Sequence, residues 1–292
     1  MDLNDQKTFS RITLIPALAL LYFLGIFPLV LEIYVSFTNW SPVSGNWWTA
    51  HLIGVNNYVE TLTSPLFGWA ILHTIVIAAS AVALEFSLGL ILAVLLQQHI
   101  VGKRIFTSII ILPMMSVPAI SGYIFYMMFL GSGPINAILS ALTQTHLTIE
   151  WLQSPTLAIV AVILMDVWQW TPLMFLILLS GLLALPTEPV EAAKVLGASS
   201  WRIFRQITMP GLKPIIIIAL AVRTMEALKL FDGVWILTHG GPVTATQTIS
   251  VYLYQEGFLF LRYGFIASAS VLVLLGLIFF TRWLIKPLGL VE

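Results

Sequence analysis

The chain has 292 residues, of which 59% are hydrophobic and only 9% are charged, whereas soluble domains carry roughly 25% charged residues. This composition excludes a water-soluble protein, because so few polar side chains could not cover the surface of a chain of this length. The formal net charge is zero and cysteine is absent, which excludes disulfides, thiolate nucleophiles and cysteine metal sites.

Six apolar segments are long enough to span a bilayer as helices, which takes about 20 residues each. In chain order they lie at 12–37, 70–97, 105–130, 156–184, 213–238 and 264–285. The first is too long to be the apolar region of a cleavable signal peptide. We therefore predict an all-α integral membrane protein with six transmembrane helices. Its parts are 1–69 (N-terminus, first helix and first external loop), a five-helix core at 70–285, and a tail at 286–292.

Lysine and arginine are distributed unevenly between the two sides of these spans. The loops 38–69 and 131–155 contain neither residue, and the loop before the sixth span contains only Arg262. Because cytoplasmic loops carry an excess of basic residues, both termini are predicted to be cytoplasmic. The ten basic residues on that side are Lys7, Arg11, Lys103, Arg104, Lys194, Arg202, Arg205, Lys213, Arg282 and Lys286.

The cytoplasmic segment 186–210 is longer than most helix connections and is predicted to form two short helices joined at Gly197. Thr187 and Pro189 suit the start of the first helix, Ser199 or Ser200 can cap the second, and Pro210 is predicted to stop it. In the second helix Trp201, Phe204 and Ile207 form an apolar face. The residues alone leave two alternatives open, docking on a partner protein and lying on the membrane surface.

The sequence Glu191-Ala192-Ala193, followed by Gly197, Ile207 and Met209-Pro210, resembles the EAA signature of bacterial ABC importer permeases. The one departure is Met209, where the family usually has Leu. The resemblance implies a type I permease fold over 70–285 with a cytoplasmic coupling-helix loop that inserts into an ATPase subunit. It assigns ATPase coupling to six residues of this loop: Glu191, Ala192, Ala193, Gly197, Ile207 and Pro210.

Further segments are similar to the first-subunit class of the carbohydrate-type permeases, such as those of maltose, trehalose and glycerol-phosphate importers. They are Pro16-Ala-Leu, Ser36-Phe-Thr-Asn-Trp40, Ile53-Gly-Val-Asn-Asn-Tyr58, Leu112-Pro113 and Thr238-His-Gly-Gly-Pro242. This resemblance implies a sugar substrate, a second homologous permease, two ATPase subunits and an external solute-binding protein, in the bacterial cytoplasmic (inner) membrane. Besides these partners we expect only membrane lipid, and no nucleic acid.

No Gly-x-x-x-x-Gly-Lys-Ser/Thr loop for ATP phosphates is present, and the five histidines show no metal-ligand spacing. We therefore expect no catalytic residue, no metal site and no cofactor on this chain, which is not itself an enzyme. ATP and Mg are expected in the partner ATPase subunits.

Ionisable residues at membrane depth are costly and by default suggest function. Asp166 and Lys229 should both lie roughly 15 Å from the external face, because a helix rises 1.5 Å per residue. We hypothesise that Asp166 shares a polar substrate cavity with Glu226, Lys229 and Asp232, and that Trp168, Trp170 and Trp235 supply aromatic faces for sugar. The alternative is pairing between helices or along one helix. Glu32 and Glu85 are predicted to face a partner subunit or the headgroup region.

Three functions stay in view. The first is a sugar importer permease that works by alternating access, and the second is the same class of permease with glycerol phosphate or another polyol as cargo. The third is an unrelated channel or ion-coupled carrier, which would need no long docking loop. The acidic neighbours of Arg223 and Lys229 favour a neutral mono- or oligosaccharide over a strongly anionic cargo.

Overall fold

A computed structural model describes the backbone of residues 13–98 and 100–285 and the side chains of these ranges up to residue 282. The predicted basic flanks at Lys7, Arg11 and Lys286, and the tail 286–292, lie outside the described residues. Within them the regular structure is helical, apart from one isolated bridge between Thr38 and Leu52.

The helices are α1 Thr13–Ser36, α2 Asn56–Thr63, α3 Pro65–Leu96, α4 Lys103–Ile111, α5 Pro118–Met128, α6 Pro134–Thr143, α7 Pro155–Ala184, α8 Glu188–Val195, α9 Ser200–Ala227, α10 Asp232–Thr238, α11 Ile249–Tyr254 and α12 Tyr263–Ile285. Five of them, α1, α3, α7, α9 and α12, are long and apolar enough to cross a membrane. The bent pair α4–α5 passes the same test of length and composition when its two helices are taken together, and counted as one span it brings the total to six. The prediction of an all-helical membrane protein is therefore confirmed, and the predicted six spans agree with this count.

The third span is not the single helix that was predicted over 105–130. Lys103–Met115 and Pro118–Met128 meet at an angle of 96°. Val117 has extended backbone angles, as expected for a residue whose α conformation is disfavoured by the proline that follows it. The polar groups at this break are satisfied by protein, since Gln169 Nε2 donates to the Ser116 carbonyl at 3.1 Å.

The fifth span begins earlier and ends earlier than the predicted 213–238. Pro210 does not stop the second loop helix, because α9 runs on from Ser200 to Ala227. A π-turn at Phe204–Thr208, closed by the Met209 N–H to the Phe204 carbonyl, precedes this proline. The wider turn accommodates a residue that has no N–H to donate. Beyond Ala227 the α-helix ends, and α10 starts afresh at Asp232.

The described chain divides into two compact units. The first contains residues 13–65 and Leu253–Ile278. Within it Asn57 Nδ2 donates to the carbonyls of Ser36 and Thr38 at 2.9 and 2.8 Å. Arg262 pairs with Glu256 at 3.0 Å and also with Glu60. These contacts join α1, the segment that follows it and the start of α12.

The second unit contains Leu66–Tyr252 and the described residues 279–285. Its core is built where small residues let α3, α7 and α9 approach one another. A Cβ atom added to Gly89 would lie 2.9 Å from Met174 Cγ, and one added to Gly181 would lie 2.8 Å from side-chain atoms of Leu212 and Ile215. Close backbone approach of this kind is typical of packing between membrane helices.

Candidate functional site

The loop 186–210 contains the two predicted short helices joined at Gly197. Gly197 has φ +76°, a left-handed conformation that glycine adopts without steric cost. The Ala198 N–H donates to the Ala193 carbonyl and the Gly197 N–H to the Lys194 carbonyl, both at 3.0 Å. This pair of hydrogen bonds is the Schellman motif that ends helices. No atom lies within 4 Å of a Cβ built on Gly197, so conformation and not space calls for glycine here.

Both helices of the loop begin at the residues that the sequence predicts. Pro189 is in the first turn of α8 and Thr187 precedes that helix, although its side chain makes no capping hydrogen bond. Ser199 caps α9, and its Oγ accepts from the Arg202 N–H at 3.4 Å.

The surface of this loop is apolar at its tip. Val195, Leu196 and Trp201 have 87%, 86% and 67% of their surface exposed. Of the predicted coupling residues, Glu191, Ala192, Gly197 and Pro210 are also exposed, and Ala193 and Ile207 are half-buried. Exposed large apolar side chains beside a carboxylate fit both alternatives, a surface that binds another protein and a surface that lies on the membrane.

A groove of about 910 Å³ lies between this loop and the helix ends that adjoin it. The last turns of α3 and α7 contribute Gln97, Leu182 and Leu185, and the loop contributes Lys194 and Trp201. Ile203 points inward and is buried. One side of the loop therefore faces the neighbouring helix ends, and the other side is exposed.

Three ionisable residues from three different helices meet inside the second unit. Arg223 Nη2 donates to Glu85 Oε1 at 2.9 Å, and Arg223 Nε lies 2.6 Å from Glu85 Oε2. The same Nη2 donates to Asp166 Oδ2. All three side chains are at most 2% exposed. We call this group the ion triad. Trp170 lies against it, with the Arg223 guanidinium carbon 5.4 Å from its ring centroid.

The triad corrects two predictions about intramembrane charge. Glu85 does not face a partner subunit or the headgroup region, because its carboxylate is buried on Arg223. Asp166 is brought together with Arg223 and Glu85, and not with the Glu226 set, so it takes the alternative of pairing between helices. Glu32, the other carboxylate of that prediction, is half-buried and hydrogen-bonded to Ser270.

The remaining charged candidates lie on the surface near the end of α9. Glu226 and Lys229 pair along the helix at 2.8 Å, with 50% and 58% of their side chains exposed. Asp232 is exposed in the first turn of α10, where a carboxylate is favoured by the helix dipole. These three residues therefore border the break between α9 and α10.

The aromatic candidates lie near the two breaks. Trp168 is 39% exposed, and its ring centroid is 5.6 Å from that of Phe125 on α5. Trp235 on α10 is half-buried, stacked on Phe231 at 6.1 Å and 4.8 Å from the ring of His239. Trp168 is exposed, and Trp235 and Trp170 are both half-buried, although one face of Trp170 is packed on Arg223.

Comparison with known proteins decides the class. Residues 85–288 match the family described as "Binding-protein-dependent transport system inner membrane component". The chain belongs to this family. Its members are ABC importer permeases, so this permease is a membrane-spanning transport subunit and not an enzyme, as predicted. Family membership also removes the unrelated channel or ion-coupled carrier.

Several relatives resemble the permease over most of its length. It is 40% identical to a probable ABC transporter permease of Sinorhizobium fredii, over 84% of this chain and 78% of the relative. It is 35% identical to the trehalose/maltose transport system permease of Thermococcus litoralis, over 73% and 76%. It is 33% identical to the sulfoquinovosyl glycerol permease of Agrobacterium fabrum, over 94% and 87%.

The fold of the permease also resembles a solved structure. A chain of a bacterial ABC transporter involved in the import of the acidic polysaccharide alginate superposes with a TM-score of 0.82. The match covers 97% of this permease and 96% of that chain, at 20% sequence identity. The agreement at so low an identity supports the architecture described above.

Sequence reasoning missed the partner of Arg223. The spacing Arg223, Glu226, Lys229 and Asp232 suggested pairing along one helix, yet Arg223 points into the helix bundle and only Glu226 and Lys229 pair in that way. The available signal was one buried carboxylate in each of two other spans, Glu85 and Asp166. One basic residue in an apolar helix and one acid in each of two others are each costly to bury alone, and pairing with one another lowers that cost.

Proposed function

We propose that this chain is the membrane-spanning permease of an ATP-driven importer for a carbohydrate. In this proposal α8 and the start of α9, which we call the docking loop (residues 186–210), dock on a cytoplasmic ATPase subunit. Closure of the ATPase then switches the permease between outward-open and inward-open states, which is alternating access. ATP and Mg are bound by the ATPase and not by this chain.

The observation that carries the docking proposal is the exposed apolar tip. Leaving Val195, Leu196 and Trp201 in water forgoes the free energy that burial of such side chains provides. Glu191 adds a charge that fixes orientation more than affinity. The turn at Gly197 is exposed and has open space beside it, as insertion into a cleft requires.

The names of the relatives support a carbohydrate cargo, because they include permeases for trehalose/maltose and sulfoquinovosyl glycerol. Candidate pathway residues that a substrate could reach are Glu226, Lys229 and Asp232 at the α9–α10 break, with Trp168 and Trp235 as aromatic faces. Discontinuous helices are a common construction for transport sites. Asp166 and Trp170 act in this proposal behind the pathway, through Arg223.

The balance of charge favours a neutral sugar. Lys229 is paired with Glu226, and Arg223 faces two carboxyl groups, so neither cation is available alone for an anionic cargo. Glycerol phosphate or another polyol is the second candidate, because the resemblance covers importers of both kinds.

The complete importer in this proposal contains a second homologous permease, two ATPase subunits and an external solute-binding protein. It resides in the bacterial cytoplasmic membrane with both termini of this chain cytoplasmic. The docking loop then faces the ATPase. The basic residues Lys194, Arg202, Arg205 and Lys213 near it agree with this orientation.

Reconstitution tests the proposal. The chain is co-expressed with the permease, ATPase and binding-protein genes that flank its own, and the purified complex is placed in liposomes. We expect ATP-dependent uptake of a neutral sugar, trehalose or maltose, from a panel that also contains two anions, sulfoquinovosyl glycerol and sn-glycerol 3-phosphate. Uptake of glycerol phosphate alone would favour the second candidate, and uptake without ATP would contradict the proposal.

A further inference from the structure

Helix α9 connects the docking loop directly to the ion triad. It is continuous from Ser200 to Ala227, and Arg223 lies 23 residues after Ser200 (223 − 200). At 1.5 Å per residue this separation is roughly 35 Å. The loop and the buried guanidinium are therefore joined by one helix, which contains a π-turn at Phe204–Thr208 and an internal proline, Pro214.

Near the cytoplasmic end, α9 is held by apolar contacts. Leu212 and Ile215 pack against Gly181 of α7. Contacts of this kind are non-directional and individually weak. Packed helices slide past one another by small amounts across such surfaces.

The ion triad is a connection of a different kind. Arg223 contacts Glu85 through two nitrogens and Asp166 through one, and each partner is on another helix. A slip at this level would leave a charge unpaired at a position that is at most 2% exposed, which is strongly unfavourable. The arginine therefore keeps α9 from sliding along its axis relative to α3 and α7.

We propose that Arg223 clasps α9 to Glu85 of α3 and Asp166 of α7, so that a displacement of the docking loop moves the three helices as one body. This inference rests on the proposed function, since it takes the loop to be driven by an ATPase. The three residues are positioning residues: their burial keeps them from any substrate, and they act through the helices that they join.

The absence of cysteine from the chain makes a direct test practical. Thr156 is exposed in the first turn of α7, at the end opposite the docking loop. A fluorophore on Thr156→Cys reports movement of that end when Mg-ATP and vanadate are added to the complete complex in nanodiscs. In the labelled complex that keeps Arg223, Glu85 and Asp166, we expect a nucleotide-dependent change in fluorescence.

Arg223→Met removes the charge, and in complexes that still assemble we expect the nucleotide-dependent change to fall at least about fivefold, the lower end of usual coupling strengths. ATP hydrolysis should persist in these complexes, because the docking loop is intact. The matched control is Lys213→Met, which removes an exposed charge from the same helix and should leave the fluorescence change as it was.

A triple variant, Arg223→Met with Glu85→Gln and Asp166→Asn, separates transmission from folding. It buries no net charge, so assembly should recover even if Arg223→Met alone is poorly assembled, while the fluorescence change stays low. A full change in either variant would overturn the clasp and leave the triad a purely structural feature. Absence of ATPase from the unsubstituted complex would instead overturn the proposed function.

Discussion

Gly122 and Gly233 bring two interrupted helices into backbone contact. A Cβ atom added to Gly122 would lie 2.7 Å from the carbonyl oxygen of Gly233, so α5 and α10 touch without an intervening side chain. Each of these helices follows a break, one after Val117 and the other before Asp232. The contact therefore positions both breaks, and with them the exposed polar residues of α9 and α10.

This contact predicts the effect of one methyl group. Gly122→Ala should lower the free energy of unfolding by about 1–3 kcal/mol, because the obstacle is backbone that cannot rotate away. Thermal unfolding of the detergent-solubilised permease, followed by size-exclusion chromatography, measures the effect. Gly68→Ala is the control: this helical glycine has no atom within 4 Å of an added Cβ, so its substitution should be neutral or slightly stabilising.

The turn at Gly197 predicts a dependence on backbone conformation alone. Gly197→Pro should abolish sugar uptake while ATP hydrolysis continues, because proline cannot adopt φ +76° and has no N–H for the Lys194 carbonyl. Gly197→Asn should retain most activity, since asparagine tolerates the left-handed region and the surrounding space is open. Equal uptake by the proline variant and the unsubstituted protein would contradict a docking role for this turn.

The exposed tip predicts a loss of partner affinity without a loss of stability. Leu196→Gln should weaken retention of the ATPase by about 10- to 100-fold, the equivalent of the roughly 1.5–3 kcal/mol gained by burying a leucine. Pull-down with immobilised permease at graded ATPase concentrations measures it. Val101→Gln changes a similarly exposed residue outside the loop and should bind normally. Matching losses in both variants would indicate a general effect on solubility.

The charge of Glu191 is a separate prediction. Glu191→Lys reverses an exposed charge on α8, so the permease should fold normally and lose transport. Glu188→Lys, an exposed substitution three residues earlier on the same helix, is the matched control. Rates of ATP hydrolysis and sugar uptake, measured in the same liposomes, show whether the two are uncoupled. Normal transport by Glu191→Lys would remove this carboxylate from the coupling mechanism.

The ion pairs of Arg262 with Glu60 and Glu256 should contribute an amount to the free energy of unfolding that does not vary across neutral pH. Burial opposes the charge on Arg262, but its contacts with Glu60 and Glu256 raise its pKa overall. A raised pKa supplies stability that is complete below the ordinary arginine pKa and is lost only as pH rises through the higher value. Arg262→Gln should therefore cost at most about 1 kcal/mol for so exposed a group, equally from about pH 6 to 9. Thermal unfolding across this range measures it, and a pH-dependent difference would contradict the assignment.

The sequence was sufficient for the helical class, the approximate positions of most spans and the two short helices of the loop, because these depend on local properties. Hydropathy identifies segments that fit a bilayer, and a glycine between two capped helices indicates a left-handed turn whatever surrounds it. Pro118 also indicates, after the fact, why the third span breaks at Val117. The partners of Arg223 are different, because they come from residues 138 and 57 positions away. The spacing within one helix does not say which face meets which neighbour.

The π-turn at Phe204–Thr208 has a consequence for the orientation of the docking loop. A π-turn holds one residue more than an α-turn would, and each residue of an α-helix corresponds to a rotation of about 100°. The residues of α9 before the turn, Ser200 to Ile203, are therefore rotated around the helix axis relative to Arg223 by one extra residue, and the loop attached to them turns with them. One inserted residue in α9 thus sets the direction in which the loop 186–210 points, without any change in the contacts of Arg223.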